Sequence, residues 1–248
     1  GGQSLCRVFN GSQVVAIAQL DRAFDAHAVE FARRPGHREI GRFIAAARHG
    51  DAAQAAAVED RLVRSLEQGG LLVLTVNPRM ARHADPELVH RFPSVRRINF
   101  DALLLAALRE QAKAMKVDWN VVLQADAADR GSRHWVNLQR LVQRAVPTIR
   151  TALLNSPAPI LLVCAGLLAR YDLMSLITEL EQNAGRPGHT PCAWLLLPTI
   201  HEGLPIIDGV AVPLVNNINN ARALALPQAW VENKHRAKTG KRASPSNA

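Results

Sequence analysis

The densest group of residues that could do chemistry lies between Asp126 and His134. Two carboxylates, those of Asp126 and Asp129, stand beside two arginines and the histidine. Carboxylates near a histidine are the groups that hold a metal ion or move a proton in acid–base catalysis. The same stretch also suits the start of a helix, because Asp129 or Ser132 can cap a helix that begins near Trp135. The sequence favours this local structural role over a metal or catalytic site.

Short motifs that bind nucleotides or activate a nucleophile are absent from the chain. GxxxxGK[ST] and GxGxxG, whose glycines let the backbone close on a phosphate, do not occur. The GxSxG turn of serine hydrolases is also missing. His83 and His90 could share a helix face, but no histidines have HxH or HExxH spacing. We therefore predict no catalytic residue, no cofactor and no metal, and the sequence leaves open whether the protein is an enzyme.

Basic side chains are the remaining candidates for function. The formal net charge is +9, and a basic surface attracts polyanions such as nucleic acid. A basic surface that only maintains solubility explains the same charge. The sequence has no recognisable DNA-reading helix and lacks interleaved exposed aromatics, so any DNA binding is expected to be independent of sequence. The candidates for contact with nucleic acid or a partner protein are Arg79, Arg82, Arg91, Arg96, Arg97, Arg130, Arg133, Lys234 and Arg236.

The stretch 159–198 predicts the sheet that must position these residues. Continuous apolar runs at 159–163 and 193–197 enclose a helical pattern at 167–180. Continuously apolar strands are typical of a parallel sheet that is covered on both faces. A similar run at 71–76 precedes Asn77-Pro78-Arg79, which we expect at the carboxyl end of the sheet, where ligands bind in α/β proteins.

The other segments complete the predicted fold. Asp85 is expected to cap a short helix that has Pro86 at its first position, and Asp101 is expected to cap a longer helix. Pro147 is expected to kink or split the helix at 135–154. The helix after Asp101 is predicted to span 102–116, and further helices are predicted at 21–34, 40–48, 51–68 and 119–123. A polar edge strand is predicted at 95–100, and a hairpin at 204–214 with a turn at Asp208-Gly209.

Together these elements predict a three-layer α/β fold. Its mainly parallel sheet is flanked by helices, with an N-terminal helical part and a C-terminal β-hairpin. The predicted divisions are an N-terminal helical subdomain at 1–69, an α/β domain at 70–232 and a basic disordered tail at 233–248.

Cysteine usage and hydropathy indicate the cellular compartment. Three scattered cysteines without CxxC spacing indicate a reducing cytoplasm. No apolar run approaches the roughly 20 residues that a membrane-spanning helix needs, so no membrane association is expected. Gly1-Gly2 at the start predicts that the chain is a segment of a longer protein.

Several short segments carry a resemblance to a known family. They are DWNVVL at 118–123, ADA at 125–127, GSRHW at 131–135, LLARYD at 167–172, LPIIDG at 204–209 and AVP at 211–213. Together they resemble the C-terminal region of the large serine/threonine kinase of the Pgl (phage growth limitation), or type 2 BREX, bacterial defence systems. The resemblance covers roughly residues 70–236. A related large ATPase of the same systems is the nearby alternative.

The resemblance implies a parent protein that carries its ATP-dependent kinase domain upstream of this segment. The chain itself has no VAIK, HRD or DFG signature, so no catalytic residue of the family can be assigned to it. The implied function is a non-catalytic accessory or interaction domain of a cytoplasmic anti-phage protein, docking other proteins of the defence system or DNA. The alternatives are a sequence-independent DNA-binding module and a degenerate nucleotide-binding, ATPase-like domain.

Overall fold

The computed structural model describes residues 38–199, 205–214 and 222–233, with side chains from residue 51 onward. The chain divides into two compact units, Gly1–Gln54 and Ala55–Ala248. Within the first unit the described residues, 38–54, are helical. The predicted helix at 21–34, Lys234, Arg236 and the rest of the predicted tail lie outside the described residues. The sheet and the clusters below belong to the second unit.

The described residues form eight helices and seven strands. The helices are α1 (Arg38–Gln68), α2 (Ala81–Arg91), α3 (Phe100–Ala114), α4 (Trp119–Ala127), α5 (Arg133–Leu154), α6 (Gly166–Arg170), α7 (Ser175–Asn183) and α8 (Gln228–Val231). The strands are β1 (Gly70–Val76), β2 (Arg96–Asn99), β3 (Ile160–Val163), β4 (Cys192–Pro198), β5 (Ile206–Ile207), β6 (Val210–Ala211) and β7 (Ala223–Leu226).

Five strands form one parallel sheet in the order β2-β3-β4-β1-β7. The three apolar runs of the sequence, now β1, β3 and β4, occupy its centre, as predicted. In register, Leu74 of β1 pairs with Leu196 of β4, and Leu162 of β3 pairs with Leu195. The more polar β2 lies at one edge, which confirms the prediction from its two arginines.

Side chains of the central strands alternate between two apolar cores, one on each face of the sheet. Leu71 and Val73 pack in the first core, with helices α3 to α7. Leu72 and Leu74 pack in the second core, with α1, α2 and α8. The predicted three-layer α/β architecture is therefore confirmed.

Helix α2 begins earlier than its capping residues predict. Pro86 lies inside the helix, which starts at Ala81, so the prediction that Asp85 caps it is wrong. A proline inside a helix removes a backbone hydrogen bond. Ala84 and Leu88 are fully buried, and their packing offsets that loss.

The cap of α3 also differs from the prediction. Asn99, not Asp101, caps the helix by accepting a hydrogen bond from the Ala102 amide at 2.9 Å. Asp101 lies in the first turn and accepts a hydrogen bond from the Leu167 amide at 3.1 Å. The Asp101 carboxylate therefore joins α3 to the start of α6.

Two helices predicted to be interrupted are continuous. Residues 40–48 and 51–68, predicted as separate helices, belong to the single helix α1. A glycine inside a helix costs only about 1 kcal/mol relative to alanine, so Gly50 does not end it. Pro147 lies inside the continuous helix α5, so it does not split that helix. Pro147 is exposed, whereas Val146 and Ile149 pack in the first core and hold the helix together.

The helix predicted over 167–180 is interrupted. Helix α6 ends at Arg170, and α7 begins at Ser175. Asp172 has φ of +59°, while the Leu173 amide donates to the Leu168 carbonyl at 2.8 Å. This is the backbone pattern that commonly ends helices, with aspartate in the left-handed position usually taken by glycine. The break turns the chain so that Tyr171 and Leu173 are both buried in the first core.

The C-terminal part contains the predicted hairpin and one strand that the sequence analysis missed. Strands β5 and β6 pair antiparallel around the Asp208-Gly209 turn, as predicted. Strand β7 adds to β1 at the second edge of the sheet, and its alanine-rich sequence carries little strand signal. In the part of the chain that the structure describes, no helix has the length and hydropathy to cross a lipid bilayer.

Candidate binding surface

The carboxyl edge of the sheet is where an α/β protein would bind a small ligand. The connection after β1 enters α2 on the second face, whereas Ile207, on the chain that follows β4, packs in the first core. The crevice between the ends of β1 and β4 is therefore a topological switch point. A tight turn closes the loop after β1: the Met80 amide donates to the Asn77 carbonyl at 2.8 Å, and the Arg79 amide donates to Asn77 Oδ1 at 3.0 Å. The Asn77 side chain thus stabilises its own turn.

An open cavity of about 600 Å³ lies at the opposite, amino end of β1. It is bordered by Gly69, Gly70, Glu181 and Arg222. The Glu181 side chain is buried, and its Oε1 lies 3.5 Å from Arg222 Nε. This ion pair makes the cavity wall a structural contact at the end where α/β folds do not bind ligands.

The polar stretch at 126–134 forms a structural joint, which we call the Asp126 cluster. It consists of Asp126, Arg130, Trp135, Arg170 and Tyr171. Asp126 Oδ1 accepts hydrogen bonds from Arg170 Nε and from the Tyr171 hydroxyl, both at 2.8 Å. Trp135 stacks on Tyr171 with ring centroids 5.9 Å apart, and Arg130 lies over the Trp135 ring. These contacts tie α4, α5 and α6 together, in agreement with the structural role favoured by the sequence.

Burial and the carboxylate of Asp126 together change the pKa of one member of the Asp126 cluster, Tyr171. Burial, followed by the hydrogen bond and charge of Asp126, raises the pKa of Tyr171 to about 12.

Ser132 caps helix α5 by accepting a hydrogen bond from the Trp135 amide at 3.2 Å, which confirms one of the two predicted caps. No group of three or more metal-ligating side chains occurs among the described residues.

Arg91 belongs to a second buried joint, which we call the Arg91 cluster. Its side chain is 0% exposed and forms ion pairs with Glu59 at 2.9 Å and Glu87 at 2.7 Å. Its Nη2 donates to the Trp230 carbonyl at 2.6 Å, and the guanidinium lies 4.0 Å from the centroid of the Trp230 ring. The cluster joins α1, α2 and α8. The structure therefore places this predicted contact residue inside the protein.

The other predicted arginines do not form one group. Arg79 and Arg82 are exposed at the start of α2, and Arg96 is exposed at the start of β2. Arg97 is nearby, but its guanidinium bonds Asp85 through Nε at 2.8 Å and Nη2 at 2.6 Å. That hydrogen bond raises the pKa of Arg97. Arg130 and Arg133 lie at the α4–α5 junction, next to the first core.

Besides Arg150, helix α5 carries two arginines that the sequence analysis did not select. Arg140 and Arg144 are exposed, and they lie seven and eleven residues after Arg133. At about 100° per residue these three positions share one face of the helix. We call Arg133, Arg140 and Arg144 the arginine stripe. The signal that could have found it is the spacing of basic residues opposite the apolar positions of α5.

Comparison with known proteins adds one curated relative. The chain is 32% identical over 193 residues to Probable kinase PglW of Streptomyces coelicolor. The chain is similar to a segment of a Pgl kinase. The match spans 74% of this chain and 12% of the Streptomyces protein. No family model and no solved structure matches the chain.

The similarity to PglW confirms the resemblance to the Pgl kinase that the short segments predict. At 12% of the PglW length, the match concerns a small part of that protein. Where this part lies within the kinase stays a prediction.

Proposed function

We propose that this chain is a non-catalytic accessory domain of a cytoplasmic phage-defence protein of the Pgl, or type 2 BREX, kind. Its role is to bind other proteins of the defence system or DNA. The similarity to a segment of PglW supports the connection to a Pgl kinase. The same similarity gives no reason to transfer kinase activity, because it concerns a small part of that protein.

The proposal rests on which charged side chains of the second unit are held in ion pairs and which are exposed. Three of the described carboxylates hold arginines: Asp126 pairs with Arg170, Asp85 with Arg97, and Glu179 with Arg150. By contrast, the arginine stripe is exposed on the surface of α5. Charge arranged in this way favours binding to an acidic partner over turnover of a substrate.

Binding and turnover are separated by one set of measurements on the purified chain. We expect surface plasmon resonance to detect binding to duplex DNA or to at least one purified protein of the defence system. We expect no phosphate transfer from radiolabelled ATP in the presence of Mg²⁺. Transfer to the chain or to a partner, abolished by chelating Mg²⁺, would contradict the non-catalytic role.

A degenerate nucleotide-binding domain is the second candidate. It is favoured by the switch point between β1 and β4, because Arg79 lies exposed at that edge. A ligand at 100 times its dissociation constant adds about 2.7 kcal/mol to the free energy of unfolding, which a thermal-shift assay detects. We expect ATP and GTP, with and without Mg²⁺, to leave the melting temperature unchanged. A rise in melting temperature that is lost in Arg79→Ala but retained in Arg186→Ala, a control at another exposed arginine, would favour the nucleotide site instead.

A further inference from the structure

Helix α5 is the most sharply two-sided element of the described chain. One side is apolar and packs in the first core through Trp135, Leu138, Leu141, Val142, Ala145, Val146, Ile149, Leu153 and Leu154. The opposite side carries the arginine stripe, defined above as Arg133, Arg140 and Arg144. The 22-residue helix contains no acidic residue. Its outer surface therefore has one sign of charge.

The stripe differs from most other arginines because no described group holds it. Arg91, Arg97 and Arg170 each form an ion pair with a carboxylate. Within the described residues, the side chains of Arg133, Arg140 and Arg144 have no hydrogen bond or ion pair. Arg150, on the same helix, is held by Glu179 at 2.6 Å. The three arginines of the stripe thus keep their guanidinium N–H groups available to a ligand.

The spacing of the stripe suits a linear polyanion. At a rise of about 1.5 Å per residue, Arg133 and Arg140 are about 10.5 Å apart along the helix, and Arg140 and Arg144 are about 6 Å apart. Phosphates advance by about 3.4 Å per nucleotide along one DNA strand. The three guanidinium groups therefore span about five nucleotides. Asn137, Gln143 and Thr148, also exposed on α5, are polar residues of the kind that contact phosphate oxygens.

The composition of this surface favours duplex DNA over other acidic partners. Single-stranded nucleic acid is normally bound by stacking on aromatic side chains, and the exposed side of α5 has none. Protein interfaces are normally centred on buried aromatic or large apolar side chains. The exposed apolar side chains of α5 are those of Val136 and Pro147.

We propose that the arginine stripe of α5 binds the phosphate backbone of duplex DNA without reading its sequence. The proposal rests on the binding role assigned to the domain above, and it names the ligand and the surface. Since each phosphate contact releases condensed counterions, the affinity should fall steeply as salt rises.

Fluorescence anisotropy with a labelled DNA duplex tests the stripe. The stripe variant is Arg133→Gln with Arg140→Gln and Arg144→Gln. The control variant is Arg64→Gln with Lys113→Gln and Arg186→Gln, three exposed basic residues from other parts of the surface. Both variants lose the same charge. We expect the stripe variant to bind about tenfold or more weakly at low salt, and the control to stay within about twofold of wild type.

The salt dependence gives a second readout. The slope of log K against log salt should become less steep by about 0.9 for each arginine of the stripe that is removed. A variant with lysine at the same three positions keeps the charge, so it should bind duplex DNA with a slope close to that of wild type. This variant also guards against misfolding of the glutamine variant, which far-ultraviolet circular dichroism would reveal.

Five outcomes would overturn the proposal. Four are no binding of duplex DNA by wild type, equal losses in the stripe and control variants, tighter binding of single-stranded DNA than of duplex, and competition by polyglutamate as effective as competition by unlabelled duplex. The fifth is DNA binding that only the control variant loses, which would refute the stripe and leave the binding role intact. Phosphate transfer from ATP would refute the non-catalytic role, and the affinities for duplex DNA could still be measured.

Discussion

At the scale of single residues, the described arginines include two contrasting kinds. Arg91 and Arg170 are held by carboxylates and lie against aromatic rings, so each fixes the relative positions of several helices. The arginines of the stripe are exposed and have no such contacts among the described residues. A sequence lists both groups as the same residue type. What separates them is whether the fold brings a carboxylate to the guanidinium.

The single tyrosine of the chain offers a direct probe of the Asp126 cluster. In the folded protein its pKa is raised to about 12, whereas a tyrosine in an unfolded chain has a pKa of about 10. Above pH 10 the unfolded state loses the phenolic proton first, so the free energy of unfolding should fall as the pH rises from about 10 to about 12. Titration of the phenolate absorbance, with folding monitored by circular dichroism, checks this.

Two variants assign the shift to its neighbours. Asp126→Asn should lower the pKa of Tyr171, because a carboxylate disfavours a second negative charge beside it. Asp129→Asn, at an exposed aspartate of the same loop, should leave that pKa unchanged. A pKa near 10 in the folded wild-type protein would contradict both the burial of Tyr171 and its hydrogen bond to Asp126.

At the scale of elements, buried contacts decide where helices begin, end and meet. Helix α2 extends through Pro86, and α6 ends at Arg170, two residues before the left-handed Asp172. The Arg91 cluster is the clearest joint between elements, since one guanidinium contacts α1, its own helix α2 and α8. Arg91 and Trp230, which are in contact in the structure, are 139 residues apart in the sequence.

Arg91→Ala should therefore be strongly destabilising. The substitution removes the guanidinium that Glu59 and Glu87 contact, and removal of one partner from a buried ion pair typically costs about 3–5 kcal/mol. Urea denaturation measures the loss. Arg82→Ala, at an exposed position of the same helix, should change the free energy of unfolding by no more than about 0.5 kcal/mol. A loss below about 1 kcal/mol for Arg91→Ala would show that the cluster is solvated.

At the scale of the whole molecule, the two cores share one sheet. Leu161 of β3 packs in the second core, and its neighbour Leu162 packs in the first. Both side chains are fully buried. Because adjacent residues of one central strand serve both cores, the second unit is expected to unfold in a single cooperative step.

Leucine-to-alanine substitutions test this cooperativity. Leu161→Ala and Leu162→Ala should each lower the free energy of unfolding by about 2–5 kcal/mol. In each variant, tryptophan fluorescence and far-ultraviolet circular dichroism should report the same denaturation midpoint. Leu123→Ala, at a leucine that is 52% exposed, is the control and should have little effect. Separate transitions in the two signals would show that the cores unfold independently.

The sequence by itself determined the architecture. Continuous apolar runs at β1, β3 and β4 indicate strands buried on both faces, and apolar periodicity indicates the covering helices. Short segments such as GSRHW at 131–135 were enough to indicate the Pgl kinase. These signals are local, so they survive without knowledge of the neighbours of each residue.

Only the tertiary structure decided which polar residues are structural. Asp85, Asp101 and Asp126 have the sequence context of caps or catalytic carboxylates, yet each bonds a group distant in the chain. Whether Arg91 is buried and Arg140 exposed also depends on which helices pack together. The physical reason is that hydrogen bonds and ion pairs form between groups that the fold brings together, and a local pattern does not specify those pairs.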